Sequence, residues 1–310
     1  MKNIYPNLTF LFLFSGLIIL ACLFNEQQYF QKKDIDSYFL SFIEGRYAFT
    51  PIKKPHQEIF SSEAEAILIS SVSNKNKTLF KYNTKKQLPM ASITKLMTAM
   101  VVIDNYNLKD NIQIDDDIIK IEGDPKKLIA GETYSIKDLL YIMLIESNNE
   151  ASEALAKKIN RTEFIKKMNQ KAELLDMKDT QYLNPSGLDI DTGETNITSA
   201  EDLEKLIMHI VANYQLIPEI LSNEEYTMYS KKGIIRQSVN TNILLSENKT
   251  FLWGKTGFTD KAKGCLILIS KPPSFSFFEK NYIINIIIGA EDRFNVARKS
   301  KIWITNQFIW

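Results

Sequence analysis

The stretch Leu88-Pro89-Met90-Ala91-Ser92-Ile93-Thr94-Lys95-Leu96-Met97-Thr98-Ala99-Met100 decides how this chain is read. The apolar run behind Ser92 predicts a buried helix over residues 93–105, with Ser92 at its start. Positions i and i+3 share a helix face, so the Lys95 amine reaches the Ser92 hydroxyl. A serine hydroxyl is a weak nucleophile at its free pKa and needs an adjacent base. Lysine serves as that base only when neutral, and burial or a second cation lowers its pKa. The N–H groups of a helix start also stabilise a developing anion. Ser-x-x-Lys alone is a weak signal, because it recurs at Ser246-Glu247-Asn248-Lys249 in a polar turn with no helix behind it.

Two further motifs lie outward from this one. Ser147-Asn148-Asn149 follows the apolar segment DLLYIMLIE. Ser147 offers a second hydroxyl to pass a proton to a leaving amine, and Asn149 an amide to hold substrate backbone. Ser-x-Asn also occurs at Ser238 and Ser246. Lys255-Thr256-Gly257 lies in the β-type run FLWGKTGF, where Gly257 lets another backbone approach closely. Thr256 adds a hydroxyl, and Lys255 a fixed cation that depresses the Lys95 pKa and attracts a carboxylate. The Gly-Lys-Thr within it is not a phosphate loop, because position 249 is Lys where that motif needs Gly. Each motif is weak alone. Together they run in the order Ser-x-x-Lys, Ser-x-Asn, Lys-Thr-Gly, with Ser92, Ser147 and Lys255 separated by 55 and 108 residues. That ordered trio resembles the set found in serine β-lactamases and penicillin-binding proteins.

Composition narrows the alternatives. The 310 residues are 45% hydrophobic and 24% charged, enough for a packed core. Lys+Arg is 38 against Asp+Glu 37, so charge gives no case for nucleic acid as a partner. With two Cys and two His, a disulfide framework is excluded, and Cys22, His56, His209 and Cys265 show no metal-ligand spacing. His209 reads as a structural residue of an amphipathic helix. The uncharged run Leu8–Phe24 is long enough for a short membrane span. It reads as a signal anchor, with a cleaved signal peptide or lipidation at Cys22 as alternatives. All three place the remainder outside the cytoplasm.

Residues 26–60 read as a tether and entry segment, and 61–310 as one catalytic domain. Ala64–Tyr82 predicts a β-hairpin turning at SNKNK. Residues 136–176 predict two amphipathic helices, LNPSGLDIDTGET a long loop, and SAEDLEKLIMHIVANY a helix capped by Thr198 or Ser199. Strands resume after Pro218 as EYTMYS, FLWGKTGF, GCLILIS and YIINIIIGA, and a helix from Asp292 to Phe308 closes the chain. The expected class is α+β: an antiparallel sheet from both chain ends, with a helical subdomain over about 96–220 between them.

The chain resembles the low-molecular-mass penicillin-binding proteins, the serine-type D-Ala-D-Ala carboxypeptidases. PMASITKLMTA, ESNNEASEALA, LNPSGLD, GKTGFTDKAKGCLI and RFNVARKSKIW carry the likeness over roughly residues 60–308. The resemblance implies a penicillin-recognising serine hydrolase fold and removal of the terminal D-alanine from peptidoglycan stem pentapeptides. It implies attack by Ser92, with Lys95 as base and an oxyanion hole from the N–H groups of Ser92 and Phe258. Ser147 and Lys255 relay a proton to the leaving D-alanine, and Thr256, Thr259 and Arg293 hold its carboxylate. β-Lactams are then covalent inhibitors, and no metal or cofactor is required. Asn148 stands where the family often has Gly. The β-rich domain and amphipathic membrane helix that many relatives carry at the C-terminus are missing, so attachment is expected through the N-terminal run.

Three rivals share these residues. A class A β-lactamase needs a Glu to activate water, and the only Glu-x-x-x-Asn between the second and third motifs is Glu219–Asn223, in the wrong context. A D,D-endopeptidase differs only in the leaving group the cleft admits. A non-catalytic β-lactam sensor needs a signalling partner domain, for which the chain leaves no room.

Overall fold

The computed structural model describes residues 51–55, 60, 63–72, 76–121, 128–189, 195–233, 235–273 and 281–310. The N-terminal run, most of the tether and most of the segment KPPSFSFFEK lie outside the described residues. Ile52–Lys53 (β1) precedes the expected hairpin, Ala66–Val72 (β2) and Lys77–Tyr82 (β3). Leu88–Pro89 (β4) leads into one 3-10 turn, Ala91–Thr94, and the helix Lys95–Asn105 (α1). Asn111–Gln113 (β5) pairs with Thr133–Ser135 (β6), and Ile136–Ile145 (α2), Asn149–Lys157 (α3) and Arg161–Leu174 (α4) follow. Ile197–Thr198 (β7) pairs with β4, ahead of Ala200–Asn213 (α5) and Leu216–Leu221 (α6). Glu225–Tyr229 (β8) and Ile235–Val239 (β9) form a second hairpin, and Leu244–Glu247 (α7) is a single turn. The chain closes with Phe251–Thr259 (β10), Lys263–Ser270 (β11), Tyr282–Ala290 (β12), Arg293–Gln307 (α8) and Phe308–Ile309 (β13).

The main sheet is antiparallel throughout, in the order β10-β11-β12-β2-β3. Its inner strands read as unbroken apolar runs because both faces are covered. Leu68, Ile267, Ile269, Ile284 and Ile286 point into a core shared with α1, α2 and α5. Their neighbours Ile67, Ile69, Leu266, Leu268 and Ile287 point the other way, onto Val296, Ala297, Trp303 and Ile304 of α8. This period-two split is the strand alternation at work. Helices α1 to α6 fall between the two sets of sheet strands, as the α+β reading expects. β1 pairs with β13, so the chain entering the fold is tied to the chain leaving it.

Three local expectations change. Residues 136–176 hold three helices rather than two, because Asn160 caps a further helix by accepting the Thr162 and Glu163 N–H groups. Pro218 does not end helical structure but sits in the first turn of α6, where a missing N–H is tolerated. β9 is a strand that the sequence reading leaves out, and it pairs with β8 over its whole length. Elsewhere the caps agree: Ser199 accepts the Asp202 N–H at the start of α5, and Asp292 those of Phe294 and Asn295 at the start of α8. Among the described residues no helix is long and apolar enough to cross a membrane.

Candidate active site

Ser92 lies on the 3-10 turn against the edge strand β10. Lys95, one turn on, is fully buried. Its Nζ donates to Ser92 Oγ at 2.9 Å, Asn149 Oδ1 at 2.7 Å and the Ser186 carbonyl at 2.6 Å. A second serine–lysine pair stands beside the first: Lys255 Nζ donates to Ser147 Oγ at 2.9 Å and to the Thr256 carbonyl at 2.9 Å. The three motifs therefore meet in one place.

Burial is the main force on Lys255, pushing its amine well below the ordinary lysine value, with the charges of Lys95 and Arg293 adding to it. The sequence reading casts Lys255 as the fixed cation. In the structure the pressure towards neutrality falls on Lys255 itself, because its side chain is as deeply enclosed as that of Lys95.

Left-handed backbone lies directly before the nucleophile and at Ser147 itself. Ala91, before the nucleophile, has φ +46°, and Ser147 has φ +67°. Left-handed conformations cost a non-glycine residue roughly 1–2 kcal/mol. Strain of this kind persists only where the surroundings over-determine it. A Cβ on Gly257 would lie 3.0 Å from the Ser92 nitrogen and 3.1 Å from the Met90 carbonyl, so glycine lets β10 close on the nucleophile turn.

Thr256 and Thr259 are placed differently. The Thr256 hydroxyl is buried and meets that of Thr241 at 2.5 Å. The Thr259 hydroxyl accepts the Ala262 N–H at 3.1 Å and shapes the β10–β11 turn. Phe258 follows Gly257 on the same strand, with its ring exposed. Arg293 starts α8, and its guanidinium lies over the Phe294 ring at 4.7 Å. It forms no ion pair among the described residues, its Nε is buried without a hydrogen-bond partner, and burial lowers its pKa. The Arg293 charge adds to burial and to Lys95 in lowering the Lys255 pKa. Arg293, a cation with no ion pair among the described residues, is the group there suited to meet an anion.

One contributor was not picked out from the sequence. The loop Asn184–Leu188 supplies the Ser186 carbonyl to Lys95, and it is tied down by amide side chains. Asn184 Oδ1 accepts the N–H groups of Ser186 (3.1 Å) and Gly187 (2.6 Å). Asn196 Nδ2 donates to Thr94 Oγ1 and to the Asn184 carbonyl, both at 2.9 Å. Thr98 Oγ1 donates to the Pro185 carbonyl at 2.7 Å. The signal available was LNPSGLD itself, with a glycine where only glycine fits. Gly187 has φ +85°, and a Cβ there would lie 2.0 Å from the Ala91 carbonyl oxygen. Gly187→Ala is expected to cost about 3 kcal/mol or more and to slow acylation at least about 100-fold. Thermal melting and penicillin-labelling rates check this, and near-wild-type values for both would refute the close approach.

The sequence profile of the D-alanyl-D-alanine carboxypeptidase family, peptidase family S11, matches residues 52–276. The chain belongs to that family, whose penicillin-recognising α+β fold and serine-type chemistry it shares. It is 31% identical over 260 residues to a D-alanyl-D-alanine endopeptidase of Pseudomonas aeruginosa, across 80% of this chain and 78% of that protein. To the D-alanyl-D-alanine carboxypeptidase DacF of Bacillus subtilis it is 30% identical, across 70% of this chain and 56% of that one. Among solved structures, penicillin-binding protein D2 of Listeria monocytogenes in its cefotaxime-bound form superposes with a TM-score of 0.67. The two are 27% identical, over 80% of this chain and 100% of that one. Action on peptidoglycan places the family's work outside the cytoplasm.

Proposed function

We propose that this protein removes the terminal D-alanine from peptidoglycan stem pentapeptides through an acyl-enzyme on Ser92. The observation that carries the reading is the pair of serine–lysine contacts, Ser92 with Lys95 and Ser147 with Lys255, side by side. Lys95 takes the proton from Ser92 as its oxygen attacks the carbonyl between the two D-alanines. The N–H groups of Ser92 and Phe258 receive the oxyanion. Ser147 gives its proton to the departing nitrogen and recovers one through Lys255. Asn149 holds substrate backbone, while Thr256 and Arg293 take the terminal carboxylate. Thr259 acts by shaping the turn beside them. Once D-alanine has left, the proton on Lys95 passes to the neutral Lys255 amine, which restores both lysines; Lys95 then takes a proton from the water that releases the acyl group. β-Lactams acylate the same Ser92, and the run Leu8–Phe24 tethers the domain to the membrane.

A second reading rests on the Pseudomonas relative, an endopeptidase matched over most of both chains. The acyl-enzyme is the same, and the leaving group becomes the cross-linked neighbouring stem. Mass spectrometry of products from a stem pentapeptide and from a cross-linked dimer separates the two. Loss of a single D-alanine from the pentapeptide is expected. Cleavage of the dimer alone would favour the endopeptidase, and no product from either would overturn both.

A further inference from the structure

Ser147 occupies the single residue between Glu146, which closes α2, and Asn148, which caps α3. Its left-handed backbone aims the hydroxyl at Lys255, and the residue before it is tied down twice. The Glu146 carboxylate, 11% exposed, accepts the Arg236 guanidinium of β9, also 11% exposed. It also accepts the Asn148 side-chain amide at 3.1 Å. The other end of that amide, Asn148 Oδ1, accepts the Ala151 N–H at 2.7 Å. Beyond β9 the Thr241 N–H donates to the Ile145 carbonyl at 3.0 Å, and the Thr241 hydroxyl meets Thr256. The β8–β9 hairpin thus grips the chain at Ile145 and Glu146, directly before Ser147. An enclosed carboxylate and guanidinium hold each other in one geometry, and removing either leaves the other charge uncompensated.

We propose that Glu146 and Arg236 are positioning residues for proton delivery: their ion pair fixes the Ser147 hydroxyl between Lys255 and the leaving nitrogen. The proposal rests on the reading of Ser147 as the relay hydroxyl. As the acyl C–N bond breaks, the nitrogen takes the Ser147 proton, and Ser147 takes one from the Lys255 ammonium. A misaligned Ser147 slows only reactions whose leaving group must be protonated. A thiolate leaves without a proton, so thiolester cleavage depends on Ser92 and Lys95 and not on this relay.

The test compares kcat for a D-Ala-D-Ala peptide with kcat for its analogue bearing D-thiolactate in place of the terminal D-alanine. Arg236→Met and Glu146→Gln are each expected to lower the amide-to-thiolester kcat ratio about tenfold or more, with KM little changed. Ser147→Ala is expected to lower it further. Glu146→Gln keeps side-chain size and an acceptor for Asn148, so it reports even where Arg236→Met does not fold. Equal losses on amide and thiolester would show a purely structural staple and overturn the proposal. A normal ratio in the Glu146 and Arg236 variants, with a low one in Ser147→Ala, would overturn the positioning role alone. An unchanged ratio in Ser147→Ala would overturn the relay reading together with the proposal.

Discussion

Lys95→Arg is expected to lower the rate of Ser92 acylation by penicillin by about 1,000-fold or more, roughly 4 kcal/mol of transition-state stabilisation. Arginine keeps its proton at any working pH, so it cannot accept one from Ser92. It also places a permanent charge where Lys95 already helps push the Lys255 amine down. That charge, being permanent, keeps the downward pressure on the Lys255 pKa throughout the reaction and opposes return of a proton to Ser147. Both effects act in the same direction. The measurement is the second-order labelling rate with a fluorescent penicillin, alongside thermal melting. Lys95→Gln, shorter and neutral, serves as the second variant where the bulkier guanidinium disturbs the enclosed pocket. Acylation within tenfold of wild type in a folded variant would refute the lysine-base mechanism. Peptide mapping of the wild-type adduct is expected to find Ser92 labelled and Ser246 unlabelled.

That last contrast shows how far the sequence could be read. Two Ser-x-x-Lys patterns occur, and only context separates them. In the structure Lys249 is highly exposed and pairs with Glu224 at 3.1 Å, while the Ser246 hydroxyl donates to the Ile243 carbonyl. Lys95, backed by a buried helix, reaches its serine instead. The trio of motifs was legible because each consists of side chains at fixed spacing on a regular element. The Ser186 carbonyl was not, because a backbone acceptor has no residue signature and depends on the path of a loop between Asn184 and Asn196. The left-handed backbone of Ser147 was hidden for a related reason: it falls on a serine, and no glycine stands there to mark an unusual turn. β9 escaped because Ile235-Arg236-Gln237-Ser238-Val239 carries three polar residues, and its pairing with β8 supplies what propensity does not. Pro218 misled because its meaning depends on whether it falls in the first turn of a helix or in its interior.

The second large effect concerns the fate of bound penicillin. The Ser92 adduct is expected to last minutes or longer, a hydrolysis rate of about 0.01 per second or less. A lactamase turning over at tens per second would be at least about 1,000-fold faster, a difference of roughly 4 kcal/mol in barrier. The difference lies in how water is activated. A class A lactamase places a glutamate beside the ester. Here the Glu219 carboxylate is engaged by the Tyr141 hydroxyl at 3.4 Å, and the Asn223 amide is spent on the Glu219 backbone carbonyl at 2.6 Å. Neither side chain is left in the role that reading requires. Among the described residues the Lys95 amine is the base hydrogen-bonded to Ser92, held there by Asn149 and the Ser186 carbonyl, and on the proposed reading Lys95 activates the water. With a D-Ala-D-Ala peptide the leaving D-alanine diffuses away and opens a place for that water. With penicillin the leaving nitrogen remains joined to the acyl chain and stays over the ester. Peptide deacylation is therefore expected to outpace penicillin deacylation by a wide margin on the same enzyme. Pre-labelling with a fluorescent penicillin, removing the excess and following loss of label over time measures the slow step. Peptide turnover measured in parallel gives the fast one. Loss of label within a second would place this chain with the lactamases and remove the carboxypeptidase reading.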